Sequence, residues 1–141
     1  MLMDNLITDL ENYFLTNKNV GGCKDFFNNI VKNNIIIDDN NFIEGKMNKK
    51  KLYTNQNFEL ILIYWGEYSQ TSIHKHPSNG CVLKVLDGEL DEYVYKNNNI
   101  TYNYLKTNNI SYMHDNIGEH QIIPRKKSLS IHLYSPPGFY N

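Results

Sequence analysis

The chain has 141 residues, enough for one domain with a sizeable core. Its 14 basic and 15 acidic residues nearly cancel, so no long-range field points to nucleic acid or an acidic membrane surface. Two cysteines, Cys23 and Cys81, are too few for a disulfide scaffold and suit a reducing cytoplasm. The longest apolar run, "LILIYW", is too short to span a bilayer, and "MLMDNLITDLENYF" lacks the basic start of a secretory signal. A cytoplasmic monomer without nucleic-acid or membrane partners is expected.

The elements follow in chain order. Leu6, Leu10, Tyr13 and Phe14 fall at helical spacing, with Asp4 or Asn5 able to cap. After Gly21-Gly22, a second short helix fits Cys23, Phe26, Phe27, Ile30 and Val31, and a weaker third begins near Asp38 or Asp39. Cys23 lies on this apolar stripe and reads as an inert buried thiol. From about Lys51 the apolar period becomes two. "FELILIYW", "CVLKVL", "DEYVYK", "ITYNYLK", "ISYMHD", "EHQIIP" and "LSIHLYS" are short, β-branched or aromatic, and separated by turn signals. No helix interrupts them, which favours an antiparallel sandwich or small barrel over a parallel sheet.

Three groups of residues carry chemistry. His74 and His76, in "SIHKHPSNGC", would share one face if they lie on a strand, and two imidazoles aimed into a barrel suggest a metal site. His120, after a turn glycine in "NIGEH", is placed to join them, and three neutral imidazoles make a facial set for a first-row divalent ion. His114, beside Asp115, is assigned to the surface instead. In "LSIHLYSPP", Ser130, His132 and Tyr134 alternate along one strand, where serine can orient histidine and histidine can orient a phenol. An amphipathic strand with a polar outer face explains that alternation equally well. Either X-Pro bond at Pro136 or Pro137 can be cis.

The chain resembles cysteine dioxygenase, a thiol dioxygenase of the cupin superfamily. The resemblance is densest in "WGEYSQTSIHKHPSNGCVLKVLDGEL" and "SLSIHLYSPP". Cupins follow H-x-H with four residues and then a glutamate, and follow that with six residues and then a glycine. Here Cys81 stands in the glutamate position and Gly88 in the glycine position. That exchange is a mark of cysteine dioxygenases. The resemblance implies a mainly β, jelly-roll-like cupin barrel over residues 48–141, preceded by two or three short α-helices within 1–47, the whole forming one domain. It implies a single mononuclear Fe(II) on His74, His76 and His120. It also implies a thioether between Cys81 and Tyr134, an outer triad of Ser130, His132 and Tyr134, and conversion of L-cysteine and O2 to cysteine sulfinate.

One position departs from the family. Its substrate-carboxylate arginine, before the "FELIL" strand, has no counterpart; the lone arginine, Arg125, aligns elsewhere. Counting back from Phe58 reaches Lys49, with Lys50 or Lys51 as neighbours, and an alternative alignment reaches Asn55. A lysine gives charge without a bidentate fork, so another small thiol, 3-mercaptopropionate or cysteamine, is an alternative substrate. A three-histidine zinc hydrolase and a non-catalytic cupin are the rival readings from other classes.

Overall fold

The computed structural model describes residues 2–140. It has one α-helix, α1 (Leu2–Phe14), followed by three 3-10 segments at Val20–Phe27, Lys32–Asn34 and Asp39–Asn41. The second and third expected helices are therefore short 3-10 pieces. Local capping fixes the first of them, where the Asn19 side chain accepts from Gly21 N at 2.7 Å. At Asp39–Asn41 the Asp38 side chain accepts from Asn40 N at 3.0 Å. Asparagine and aspartate side chains compete for backbone donors in this way and favour turns over long helices.

Eight strands follow: β1 (Met47–Thr54), β2 (Glu59–Trp65), β3 (Cys81–Asp87), β4 (Glu89–Lys96), β5 (Asn99–Lys106), β6 (Ile110–Met113), β7 (Glu119–Pro124) and β8 (Ser128–Tyr134). They form a five-stranded sheet, β1-β2-β8-β3-β6, and a three-stranded sheet, β5-β4-β7, with antiparallel pairing throughout. This is the jelly-roll-like cupin arrangement.

The five-stranded sheet is covered on both faces. Leu6, Leu10 and Phe14 of α1 pack with Val20, Phe27, Leu60, Leu62, Leu129, Ile131 and Leu133 on its outer side. Ile61, Ile63, Trp65, Leu83, Val85 and Tyr134 face the space between the sheets, with Val94 and Ile122 opposite. Double burial explains why β2 reads as an unbroken apolar run while β4 and β7 alternate. It also settles the two readings of "SLSIHLY". Leu129, Ile131 and Leu133 point at the helical layer, so Ser130, His132 and Tyr134 point inward, and no face of β8 is wet.

Two glycines fix the ends of β3. Gly80 has φ +92, and a Cβ there would stand 2.7 Å from Met113 O. Gly88 has φ +99, and a Cβ would run into Ser128. Only glycine adopts such angles without strain. Lys84 of β3 is buried, and its ammonium donates to the carbonyls of Phe27 (2.8 Å), Ile30 (2.7 Å) and Asn28 (3.1 Å), tying the first 3-10 segment to the sheet. The Ser135–Pro136 bond is cis.

Candidate metal centre

The H-x-H pair does not lie on a strand. His74 and His76 sit in the loop between β2 and β3, and only His74 makes a bridge, pairing antiparallel with His120 of β7. The loop is pinned along β7 by His74 N to His120 O (3.0 Å), His120 N to His74 O (3.1 Å) and Thr71 N to Ile122 O (3.0 Å). That pinning, rather than period-two alternation, brings the third histidine to the pair. One ring nitrogen from each of His74, His76 and His120 lies within 4.8 Å of the others, a group able to hold a metal ion.

The orientation of the rings fits a cation. His74 Nδ1 faces Ser72 O at 2.8 Å, and a carbonyl only accepts, so Nδ1 carries the proton. His120 Nδ1 faces Glu92 Oε2 at 2.9 Å and is likewise the donor. The two Nε2 atoms are turned toward each other and stand 2.9 Å apart. Two ligand nitrogens about 2.1 Å from one ion at a right angle would be about 3.0 Å apart. His76 is 1% exposed, and neither of its ring nitrogens has a hydrogen-bond partner. Its approach to Asp115 Oδ1, 3.4 Å from Nδ1, is too long for a good bond. Buried ring nitrogens without a partner, as in His76, are unfavourable unless a cation answers them. Burial, and then the neighbouring His120, lowers His74 to about 4 and His76 to about 3, so both rings are neutral and available as ligands.

Glu92 was not singled out in the sequence, where "DEYVYK" offers it no special mark. It is fully buried and accepts from His120, from Ser111 Oγ (3.0 and 3.2 Å) and from Asn103 Nδ2 (3.1 Å). Burial pushes its carboxyl up, but these hydrogen bonds outweigh burial and hold it below the usual range. It is an ionised carboxylate orienting a ligand histidine.

Beside the histidines is a cavity of about 250 Å³, lined by Lys49, Trp65, His74, His120, His132, Tyr134 and Tyr140 among others. Trp65 Nε1 donates to Ser130 Oγ at 2.8 Å, Ser130 Oγ lies 2.6 Å from His132 Nε2, and His132 Nδ1 lies 3.1 Å from the Tyr134 hydroxyl. The proposed triad is thus contiguous, with Trp65 hydrogen-bonded to its serine end. Burial, and then His120, keeps His132 neutral, and burial, then Cys81, keeps the Tyr134 phenol protonated. Cys81 and Tyr134 are register partners in the β3–β8 ladder, both buried, with Cys81 as a free thiol.

The remaining candidates are sorted by strand geometry. Lys49 of β1 lines the cavity, and Met47, two residues earlier on the same face, lines it too. Lys51 turns to Glu59, at 3.7 Å. Asn55 is occupied as a turn acceptor for Asn57 N and Phe58 N. His114 is half-buried and bonded to Ser78 O at 3.0 Å, outside the histidine cluster. Arg125 pairs with Asp91 on the three-stranded sheet, away from the cavity. Among the described residues, no helix is long and apolar enough to cross a membrane.

The family model for cysteine dioxygenase type I matches residues 37–140. The chain is 36% identical over 94 residues to cysteine dioxygenase type 1 of Homo sapiens, covering 59% of this chain and 47% of that protein. The Danio rerio protein of the same name is 32% identical over 95 residues with the same coverage. The chain thus spans about half the length of the curated relatives it matches. Among solved structures, an RmlC-like cupin from Shewanella frigidimarina superposes with a TM-score of 0.59 at 17% identity, over 70% of this chain and 83% of that one. A cupin 2 conserved barrel domain protein from Leptotrichia buccalis gives 0.57 at 21%, over 67% and 43%. These likenesses show the cupin fold, and the match over residues 37–140 shows that the chain belongs to the cysteine dioxygenase type I family.

Proposed function

We propose that this protein is an Fe(II)-dependent thiol dioxygenase that converts L-cysteine and O2 to cysteine sulfinate, with both oxygen atoms added to sulfur. The observation supporting this reading is a cluster of three imidazoles with no carboxylate among them, beside a cavity lined by Lys49. Three uncharged ligands leave the full charge of a divalent ion to attract an anionic thiolate. Iron bound by His74, His76 and His120 would supply the reaction with O2 and favour the thiolate form of the substrate.

The protein's own groups do the rest. Trp65 N–H occupies Ser130 Oγ, so the Ser130 hydroxyl is free to donate to His132 Nε2. His132, neutral, then carries its proton on Nδ1 and donates it to the Tyr134 oxygen. The Tyr134 O–H is left as a donor toward the cavity, where it can hold a proton against developing charge on oxygen. Lys49 attracts the substrate carboxylate. The cavity, at about 250 Å³, suits an amino-acid-sized ligand rather than a drug-sized one.

Cys81 would form a thioether with Tyr134, with loss of one hydrogen from each and O2 as oxidant, and their pairing in the β3–β8 ladder supports this. Oxygen uptake by Fe(II)-loaded protein with L-cysteine, with the product weighed as the sulfinate, tests the activity. Bound zinc without oxygen consumption would sink it. The intact mass after turnover should fall by two hydrogens, and an unaltered mass would remove the crosslink. A second substrate, 3-mercaptopropionate, fits one specific observation: Lys49 offers a point charge that any small thiol carrying a carboxylate can use.

A further inference from the structure

Tyr140 has no part in the chemistry above, yet it touches several parts of the site. Its ring stands edge-on to Tyr134, centroids 4.9 Å apart, and to His74, at 5.6 Å. Its hydroxyl donates to Lys75 O at 2.6 Å, between the two histidines of the loop. The Lys49 ammonium lies over its face, 4.8 Å from the centroid. The segment leading to it is held by Gly138 N, which donates to Glu59 Oε1 at 3.2 Å.

We infer that Tyr140 is a specificity-determining residue that holds Lys49 over the cavity, so that the site selects small thiols bearing a carboxylate. The inference rests on the thiol dioxygenase reading and deepens it. Lysine has a flexible stem and no fork to preorganise it. An aromatic face occupies one side of its ammonium and leaves N–H donors on the other side for an anion. A competing partner is close by. Glu59 is buried, its Oε2 has no hydrogen-bond partner and only a loose ion pair with Lys51 at 3.7 Å, and its charge acts on Lys49. Without the Tyr140 ring, the ammonium can turn to Glu59 and leave the cavity. No carboxylate is among the described residues that line the cavity, so a substrate anion meets a cation there and no like charge.

The test compares L-cysteine with cysteamine, which lacks the carboxylate, in wild-type protein, Tyr140→Leu and Tyr140→Phe. In Tyr140→Leu the cysteine-to-cysteamine ratio of kcat/KM should fall by roughly three- to ten-fold, the range of a partly desolvated cation–π contact, and the fall should lie in KM. Tyr140→Phe keeps the ring and should restore the ratio. An unchanged ratio in Tyr140→Leu overturns the inference. So does a Phe variant as poor as the Leu variant, which would assign the effect to the Lys75 hydrogen bond. A second readout does not need turnover. Trp65 is the chain's one tryptophan and lines the cavity, so its fluorescence reports anaerobic titration of Fe(II)-loaded protein with each thiol. Tyr140→Leu should raise the Kd for cysteine more than for cysteamine, and equal shifts overturn the inference. If wild-type protein consumes no O2 with any thiol, the dioxygenase reading fails, while the titration still tests Lys49 and Tyr140.

Discussion

Replacing Glu92 by glutamine isolates the contribution of a buried carboxylate to the metal centre. Glu92 is fully buried, and its Oε2 receives the Nδ1 proton of His120 at 2.9 Å. Glutamine keeps the shape and one acceptor oxygen. Ser111 can reverse its hydroxyl, and Asn103, which is exposed, can turn its amide, so the remaining contacts adapt. What is lost is the charge. A hydrogen bond to a charged group contributes about 1.5–3 kcal/mol and a neutral one about 0.5–1.5, a difference of about 1–2 kcal/mol. That corresponds to roughly a five- to thirty-fold loss of metal affinity, within the range typical for outer partners of ligand histidines. Anaerobic Fe(II) titration against a chromophoric chelator measures it, with urea unfolding of the metal-free protein as a check on the fold. Wild-type affinity in a folded Glu92→Gln variant would refute the reasoning, because His120 would then need no charged partner.

Other consequences follow from neighbouring residues. Lys49→Ala should raise KM for cysteine about ten-fold or more, since it removes the cation that lines the cavity, and an unaltered KM would take Lys49 out of the site. Lys84→Met leaves the carbonyls of Phe27, Asn28 and Ile30 without their shared donor and should cost about 2–4 kcal/mol in urea unfolding. Burial pushes the Cys23 thiol up to about 12 from its ordinary value of 9.0, and this folded value above the unfolded one sets the sign. The folded state keeps its proton while the unfolded chain ionises, so stability is full below pH 9 and falls as pH rises. The loss is about 1.4 kcal/mol at pH 10 and grows until about pH 12. Urea midpoints of wild-type protein and Cys23→Ala at pH 7 and pH 10 isolate this share, and equal shifts in both would refute it.

The fold was legible wherever a strand's burial matched its sequence period. β4 and β7 alternate and were readable as half-buried strands, and β2 showed itself by an unbroken apolar run. β1, Met47–Thr54, is half-buried to exposed and carries Lys49, Lys50 and Lys51, so no apolar pattern announced all of it. The second and third helices were misjudged as α because apolar spacing cannot report the side-chain caps that tighten a turn. Within the site, the histidines were readable as a set, but for an incomplete reason. A strand would have aligned His74 with His76; the loop instead depends on its backbone pairing with β7. Glu92, Tyr140 and the hydrogen bond from Trp65 were invisible because each is defined by a partner many residues away.

The dependence on distant partners explains why the site tolerates so little slippage. Cys81 meets Tyr134 only in one β3–β8 register, and His132 then lies opposite Leu83. Moving that register by one residue would turn every β8 side chain to the other face, placing Leu133 where the phenol must be. The ladder shifts once, between Val85 and Asp87, immediately before Gly88. Gly88 therefore bears on the chemistry without touching it: its positive φ lets the chain leave β3 beside Ser128, at the start of the strand that carries Ser130, His132 and Tyr134. Gly88→Ala would meet both an unfavourable backbone angle and Ser128, at a cost of about 1–3 kcal/mol. Relief by a shift of β8 would separate Cys81 from Tyr134. A folded Gly88→Ala protein should then lose the thioether mass signature before it loses metal binding, since the three histidines come from the β2–β3 loop and β7. Retention of the crosslink at wild-type yield would show that the register is set elsewhere.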